Sequence, residues 1–189
     1  MSRPVLQIVI ASTRPGRVGP TIASWFEGVA KNQGSFDVEV IDLKEVNLPL
    51  FDEPGHPMRG EYVHEHSKQW AATVARADAF VFVMPEYNHS YNAAIKNALD
   101  YLHHEWTHKP VAFVSYGGVS AGTRAVQALK PTCTALRMFP LPEQVAIPAF
   151  QQHLDDDGVF HPAAGLDDAA SGMLKSLAAW TEAMKPLRG

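Results

Sequence analysis

Two stretches of this chain, Val5–Ile10 and Ala79–Met84, are almost continuously apolar, β-branched or aromatic, with no polar alternation. A strand reads this way when both of its faces are buried, the condition inside a parallel sheet. Between and after them the period changes. Ile22, Trp25, Phe26 and Val29 recur at helical spacing, and Asn32 with Gly34 supplies a stop. Phe36–Leu43 alternates like a half-buried strand. Glu61–Ala77 reads as a helix with Trp70, Val74 and Ala77 on one face, and Ala93–Leu102 as another with Ile95, Leu99 and Leu102 inward. Pro110 opens a strand over Val111–Tyr116, and a helix over Thr123–Met138 follows. A short strand in Pro140–Ile147 is interrupted by Pro142. Asp167 is placed to N-cap a last helix running to about Lys185, with Leu174, Leu177 and Trp180 inward.

Strands alternating with helices predict a parallel sheet covered on both faces. In 189 residues this suits one domain over residues 1–189, a three-layer, doubly wound, five-stranded sheet, since a TIM barrel needs about 250 residues. The strand order 2-1-3-4-5 puts the most apolar strands in the centre. In such sheets ligands bind outside the carboxyl ends of the strands, near the switch point between the first and third. Three loops are singled out: Ala11–Gly19, Pro85–Tyr91 and Tyr116–Ala121.

The bulk numbers exclude other classes. A net charge of -4 gives no basic footprint for nucleic acid or an anionic membrane. No apolar stretch approaches the ~20 residues of a membrane span. The N-terminal apolar run is too short for a signal peptide, so the expected address is the cytoplasm. The lone Cys133 forms no internal disulfide and reads as a small buried hydrophobe on a helix.

Each loop has a chemistry. ASTRPGRVG offers the hydroxyls of Ser12 and Thr13, the charges of Arg14 and Arg17, and a turn at Gly16, before a helix starting near Val18. Hydroxyls, arginines and a helix N-terminus suit a phosphate monoester. The same residues also suit a solvated strand–helix connection. The loop lacks the Gly-Lys-Ser/Thr ending of an NTP-binding loop, the three-glycine dinucleotide fingerprint and a phosphatase cysteine. In PEYNHSYNAAIKNALDYL, Pro85 stiffens the exit from the strand, Tyr87 offers a flat ring and Asn88 a two-way hydrogen-bonding amide. The alternative is a turn with Asn88 or Ser90 capping the helix. In SYGGVSAG, Gly117 and Gly118 let backbone N–H groups come close to a ligand, or simply make a flexible turn.

STRPGR after the first strand, PEYNHSYNAAIKNALDYL after the third and SYGGVSAG after the fourth together resemble the NADPH-dependent FMN reductase family, which is flavodoxin-like and includes quinone, azo-dye and chromate reductases. The resemblance covers about Val5–Pro148. It implies that Ser12, Thr13, Arg14, Arg17, Val18 and Gly19 hold the FMN phosphate. Pro85, Glu86, Tyr87 and Asn88 would flank the isoalloxazine ring and ribityl chain, and Tyr116, Gly117 and Gly118 would close its other side. Some members carry serine or asparagine where Val18 or Pro20 stands, and there backbone N–H groups would replace the side-chain donors. The implied reaction is ping-pong: hydride passes from NADPH or NADH to flavin N5, then two electrons go to a small acceptor such as a quinone, azo compound, metal oxyanion or free flavin. No catalytic side chain is implied, because the cofactor carries the chemistry. Arg14 and Arg59 are candidates for a nicotinamide-nucleotide phosphate. The resemblance also implies a homodimer or tetramer, with contacts at positions matching Arg124 and Glu143. Exposed Tyr101 and Trp106 would suit such an interface.

Rival readings are a flavodoxin-type electron carrier, which is usually strongly acidic around its flavin, and a non-catalytic FMN-binding sensor. The histidines His64, His66, His103, His104 and His108 lack an HExxH pattern and read as surface residues, not metal ligands. His89 reads as a solvated loop histidine and Asp155–Asp157 as a polar turn. Trp25, Phe26, Trp70 and Trp180 read as core.

Overall fold

The fold is seen in a computed structural model that describes residues 3–188. In chain order the elements are β1 (Val5–Ile10), α1 (Gly19–Gln33), β2 (Asp37–Asp42), α2 (Leu43–Val46), α3 (Glu65–Ala75), β3 (Ala79–Pro85), α4 (Ala93–Asp100), β4 (Pro110–Tyr116), α5 (Thr123–Ala135), β5 (Phe139–Ile147) and α6 (Leu166–Met184). The strands form one parallel sheet in the order β2-β1-β3-β4-β5. This is the flavodoxin-like doubly wound order.

The continuous apolar character of the central strands has a direct cause. Every residue of β3 and β4 is buried, and successive side chains serve opposite layers. Leu6, Ile8, Ile10, Val81 and Val83 pack with Ile22 and Phe26 of α1 and Leu174 and Leu177 of α6. Val9, Phe80, Phe82 and Met84 pack with Trp70 and Val74 of α3, Ile95 and Leu99 of α4, and Leu129 and Cys133 of α5. The edge strand β2 is only partly covered, which explains its alternation.

Several expectations need correction. The third helix begins at Glu65, not Glu61. The Glu53 carboxylate accepts from the amides of Val63 and His64, at 3.0 Å each, and so caps the helix from a distant loop. Asp167 is not the cap of α6: Gly165 is, and Asp167 accepts instead from the Trp25 indole at 2.8 Å. The helix of α5 ends at Ala135, before the left-handed Arg137. Tyr101 and Trp106 are not exposed but fully buried. The chain turns under α4, so that Trp106 packs on Phe80 and Trp70 while its indole N–H donates to the Leu99 carbonyl. Trp180, expected inward, is 41% exposed and lies against Phe139.

Candidate active-site cleft at the carboxyl ends of the strands

β1, β3 and β4 end together, and their following loops converge. They enclose a cleft of ≈ 260 Å³ lined by Arg14, Arg17 and Val18 from the first loop, Pro85, Glu86 and Tyr87 from the second, and Tyr116, Gly117 and Gly118 from the third. Phe150 and Gln151, just beyond β5, complete the wall. The sequence reading missed these two, although an aromatic opening a polar stretch at a strand's carboxyl end was a usable signal.

The first loop is shaped from within. Arg17 forms a two-pronged pair with Asp42 at the end of β2, both contacts at 2.5 Å, and also donates to the Ser12 carbonyl. Burial works to raise the Asp42 carboxyl, but hydrogen bonds from Arg17 and the Lys44 amide outweigh it and hold the carboxyl below its ordinary range. Arg17 therefore lines the cleft with a guanidinium already committed to a carboxylate. Ser12 is buried under the loop, where its Oγ accepts from the Tyr116 hydroxyl at 3.2 Å. Gly19 lies below as well: a Cβ there would stand 2.6 Å from the Ser12 Oγ, so the helix can come this close only without a side chain. Thr13 faces a neighbouring groove with Leu43, Lys44 and Asn47. The exposed Arg14 is the remaining cation at the cleft.

The second loop leaves β3 at Pro85 and closes a two-residue turn, with Tyr87 and Ser90 exchanging both backbone hydrogen bonds at 2.9 Å. Its central residues, Asn88 and His89, have φ of 48° and 67°, the left-handed pair that a type I′ turn requires. Asn88 is thus an exposed tip, not a wall of the cleft. The helix cap falls to neither Asn88 nor Ser90 but to the buried Asn92. Its Oδ1 accepts from the Ile95 amide, and its amide donates to the Ala11 carbonyl at 2.8 Å, tying α4 to the end of β1.

In the third loop the Gly117 amide is used by Ile147, whereas the Gly118 amide meets no acceptor among the described residues. A Cβ on Gly118 would find open space, and one on Gly117 would press on the Gly122 amide at 3.0 Å. Tyr116 is buried beneath, its ring edge-on to Phe150. Burial pushes its hydroxyl up to about 12, against the opposing effect of Ser12, so at neutral pH it is a hydrogen-bond donor and not a base.

These residues fit a flavin mononucleotide. The amides of Arg14, Gly16, Val18 and Gly19 at the start of α1 find no acceptor among the described residues, and such donors beside an arginine make a phosphate cradle. The free Gly118 amide and the half-exposed Tyr87 ring offer a polar edge and a flat face at the other end of the cleft. Arg59 lies elsewhere: its helical turn is held to His104, beyond the far end of α4. The histidines also have structural work, since His66 and Tyr101 both bond the Asp52 carboxylate. Among the described residues, no group of three or more His, Cys, Asp or Glu could hold a metal ion, and no helix is long and apolar enough to cross a membrane.

Comparison with known proteins points the same way. Residues 5–152 match the family described as NADPH-dependent FMN reductase. An NAD(P)H-dependent FMN reductase of Schizosaccharomyces pombe is 44% identical over 146 residues, covering 76% of this chain and 72% of its own. An NADPH azoreductase of a Bacillus species is 30% identical over 150 residues, with 75% and 76% covered. Among solved structures, the flavoenzyme NAD(P)H:(acceptor) oxidoreductase FerB from Paracoccus denitrificans superposes with a TM-score of 0.74 at 20% identity. That match covers 95% of this chain and 98% of the other, and shows a shared fold.

Proposed function

The chain belongs to the NADPH-dependent FMN reductase family, and from that premise we propose that its strand-end cleft binds FMN and uses NAD(P)H to reduce a small acceptor. It is an enzyme of the flavin-dependent oxidoreductase class. The observation that carries the site assignment is the convergence of three separate strand-end loops on one cleft, with unpartnered amides at both its ends.

Held by the residues of this cleft, FMN would supply the redox chemistry, accepting hydride from NAD(P)H and passing two electrons on to the acceptor. The chain's own residues bind and orient. Arg14 and the amides at the start of α1 receive the phosphate. Arg17 holds that loop in shape through Asp42. Tyr87, Gly117 and Gly118 border the ring, and the buried Tyr116 supports the floor by donating to Ser12. No side chain is required as nucleophile or base. NAD(P)H and the acceptor would both have to reach a flavin held by these residues through the same cleft. The azoreductase among the relatives supports a small, electron-poor acceptor, with quinones, azo compounds, metal oxyanions and free flavin as the candidates. The active form is a homodimer in this reading. The exposed Leu50, Met58 and Val63 offer it apolar contact area, and sedimentation measures it.

The test is visible absorption of the protein after incubation with FMN and desalting, followed by NADPH without oxygen. A retained flavin band that bleaches is the expected result. Retained flavin that does not bleach would favour a carrier or sensor, and no retained flavin on folded protein would sink the site assignment.

A further inference from the structure

Glu86 lines the cleft in the second loop beside Tyr87, and its carboxylate is taken up by partners from the third loop and the helix after it. The side chain is only 7% exposed. Its Oε2 accepts from the Ser120 hydroxyl at 2.9 Å, and its Oε1 from the Arg124 Nε at 2.6 Å. Arg124 reaches back to the Ser120 Oγ at 2.9 Å, closing a three-membered network. A carboxylate this deep is tolerated only when paired and hydrogen-bonded. Burial alone would raise the Glu86 carboxyl, but Arg124 and Ser120 outweigh it and keep the group ionised.

The partners lie on the other flavin-facing loop. Ser120 is in the third loop, and Arg124 is the second residue of α5. That position is electrostatically odd, because the N-terminal turn of a helix favours acids and disfavours cations. The N-cap residue of α5, Gly122, also offers no side-chain cap. An arginine there gains nothing from its own helix, and its place is explained by its pairing with the Glu86 carboxylate of the second loop.

Among the described residues, the network is the side-chain tie between the two loops. β3 and β4 stay in register up to Pro85 and Tyr116, and the Glu86 amide adds a contact to the Tyr116 carbonyl at 3.3 Å. Past that point, among the described residues, residues 86–91 and 117–124 are joined by hydrogen bonds only through the Glu86 carboxylate. The second loop otherwise bonds within itself, and the third within itself, to the Ser115 hydroxyl of β4 and to the chain at the end of β5. Resting on the flavin reading above, we infer that Glu86 is a positioning residue: it clamps the second loop to the third, and so sets the gap at which their backbones meet the FMN ring, without touching the ring itself.

The experiment titrates the apoprotein into FMN and, separately, into riboflavin, following flavin fluorescence, for wild type, Glu86→Gln, Arg124→Met and the double variant. Circular dichroism reports folding. Riboflavin keeps the ring and lacks the phosphate. In Glu86→Gln the amide sets a donor against the donors of Arg124 and Ser120, and both dissociation constants rise about tenfold. Their ratio stays as in wild type, because the phosphate loop is untouched; a general loss of packing would disturb both ends of the site. The double variant binds no worse than the weaker single, as expected for one shared network. Folded Glu86→Gln that binds both flavins like wild type overturns the inference. So does a loss confined to FMN, which would put Glu86 at the phosphate end. Should Glu86→Gln fail to fold, Arg124→Met at its half-exposed position carries the same two measurements. Wild type that binds neither flavin overturns the flavin reading, and this inference with it.

Discussion

Arg17 and Asp42 come from separate elements and meet with both prongs of the guanidinium on both carboxylate oxygens. Their side chains are only 11% and 18% exposed, so the pair is worth more than a surface bridge, and losing one partner strands the other. Asp42→Asn is expected to cost roughly 1–3 kcal/mol in urea unfolding. Removing both partners with apolar residues should cost less than the sum of the single changes. The residue scale is also where the sequence is least legible. Arg14 and Arg17 are indistinguishable as letters in STRPGR, and both suit a phosphate. Only the fold shows that Arg17 is taken up by a carboxylate from β2. The helix cap is hidden for the same reason: the sequence offers Asn88 or Ser90, and the Ala11 carbonyl that fixes Asn92 instead comes from the end of another strand. Glu86 looks like part of a binding motif until Ser120 and Arg124 are found beside it.

Among the elements, the strands were the most legible. β1 falls on Val5–Ile10 as expected, and β3 and β4 each gain a single proline. Their apolar runs result from burial on both faces, which is written in the segment itself. Two helix starts, Ala93 of α4 and Thr123 of α5, fall where the sequence puts them, but the start of α3 was less legible, because Glu53 from a distant loop holds the amides of Val63 and His64 just before it. Turns show a third kind of signal. The tip between Tyr87 and Ser90 needs two left-handed residues, and His89 pays for φ of 67° where glycine would be at ease. His89→Gly should raise stability by about 0.5–1 kcal/mol, read as a higher melting temperature of the apoprotein. A lower one would mean that the imidazole makes a contact that outweighs the backbone strain.

Across the whole molecule the sheet separates chemistry from support. The cleft occupies the carboxyl ends of the strands, and at the opposite pole Lys109 is buried, donating to the Val74 and Ala75 carbonyls at the end of α3. Burial, reinforced by the nearby Arg188, lowers its ammonium pKa from 10.5 to about 8. The sign follows from linkage: the unfolded chain keeps this proton to higher pH than the folded one, so the contribution to stability rises as pH climbs from about 8 towards 10.5. The slope for one such group is at most ~1.4 kcal/mol per pH unit. Wild type should gain on Lys109→Met across that window, with denaturant midpoints measured at pH 7.5, 8.5 and 9.5 as the check; parallel curves would place the ammonium in a wetter setting. Tyr101 and Tyr116, both pushed up to about 12, act in the opposite sense above the ordinary tyrosine range, so the comparison belongs below pH 10. The same pole anchors the last described residues. Arg188 donates to the carboxylate and carbonyl of Asp78 and to the Thr181 carbonyl, while the Leu187 carbonyl bonds the His108 ring. A linker attached after this clasp would leave the protein on the side away from the cleft. Molecules immobilised through it would present their mouths outward to solution, a ready orientation for an electrode or a sensor surface.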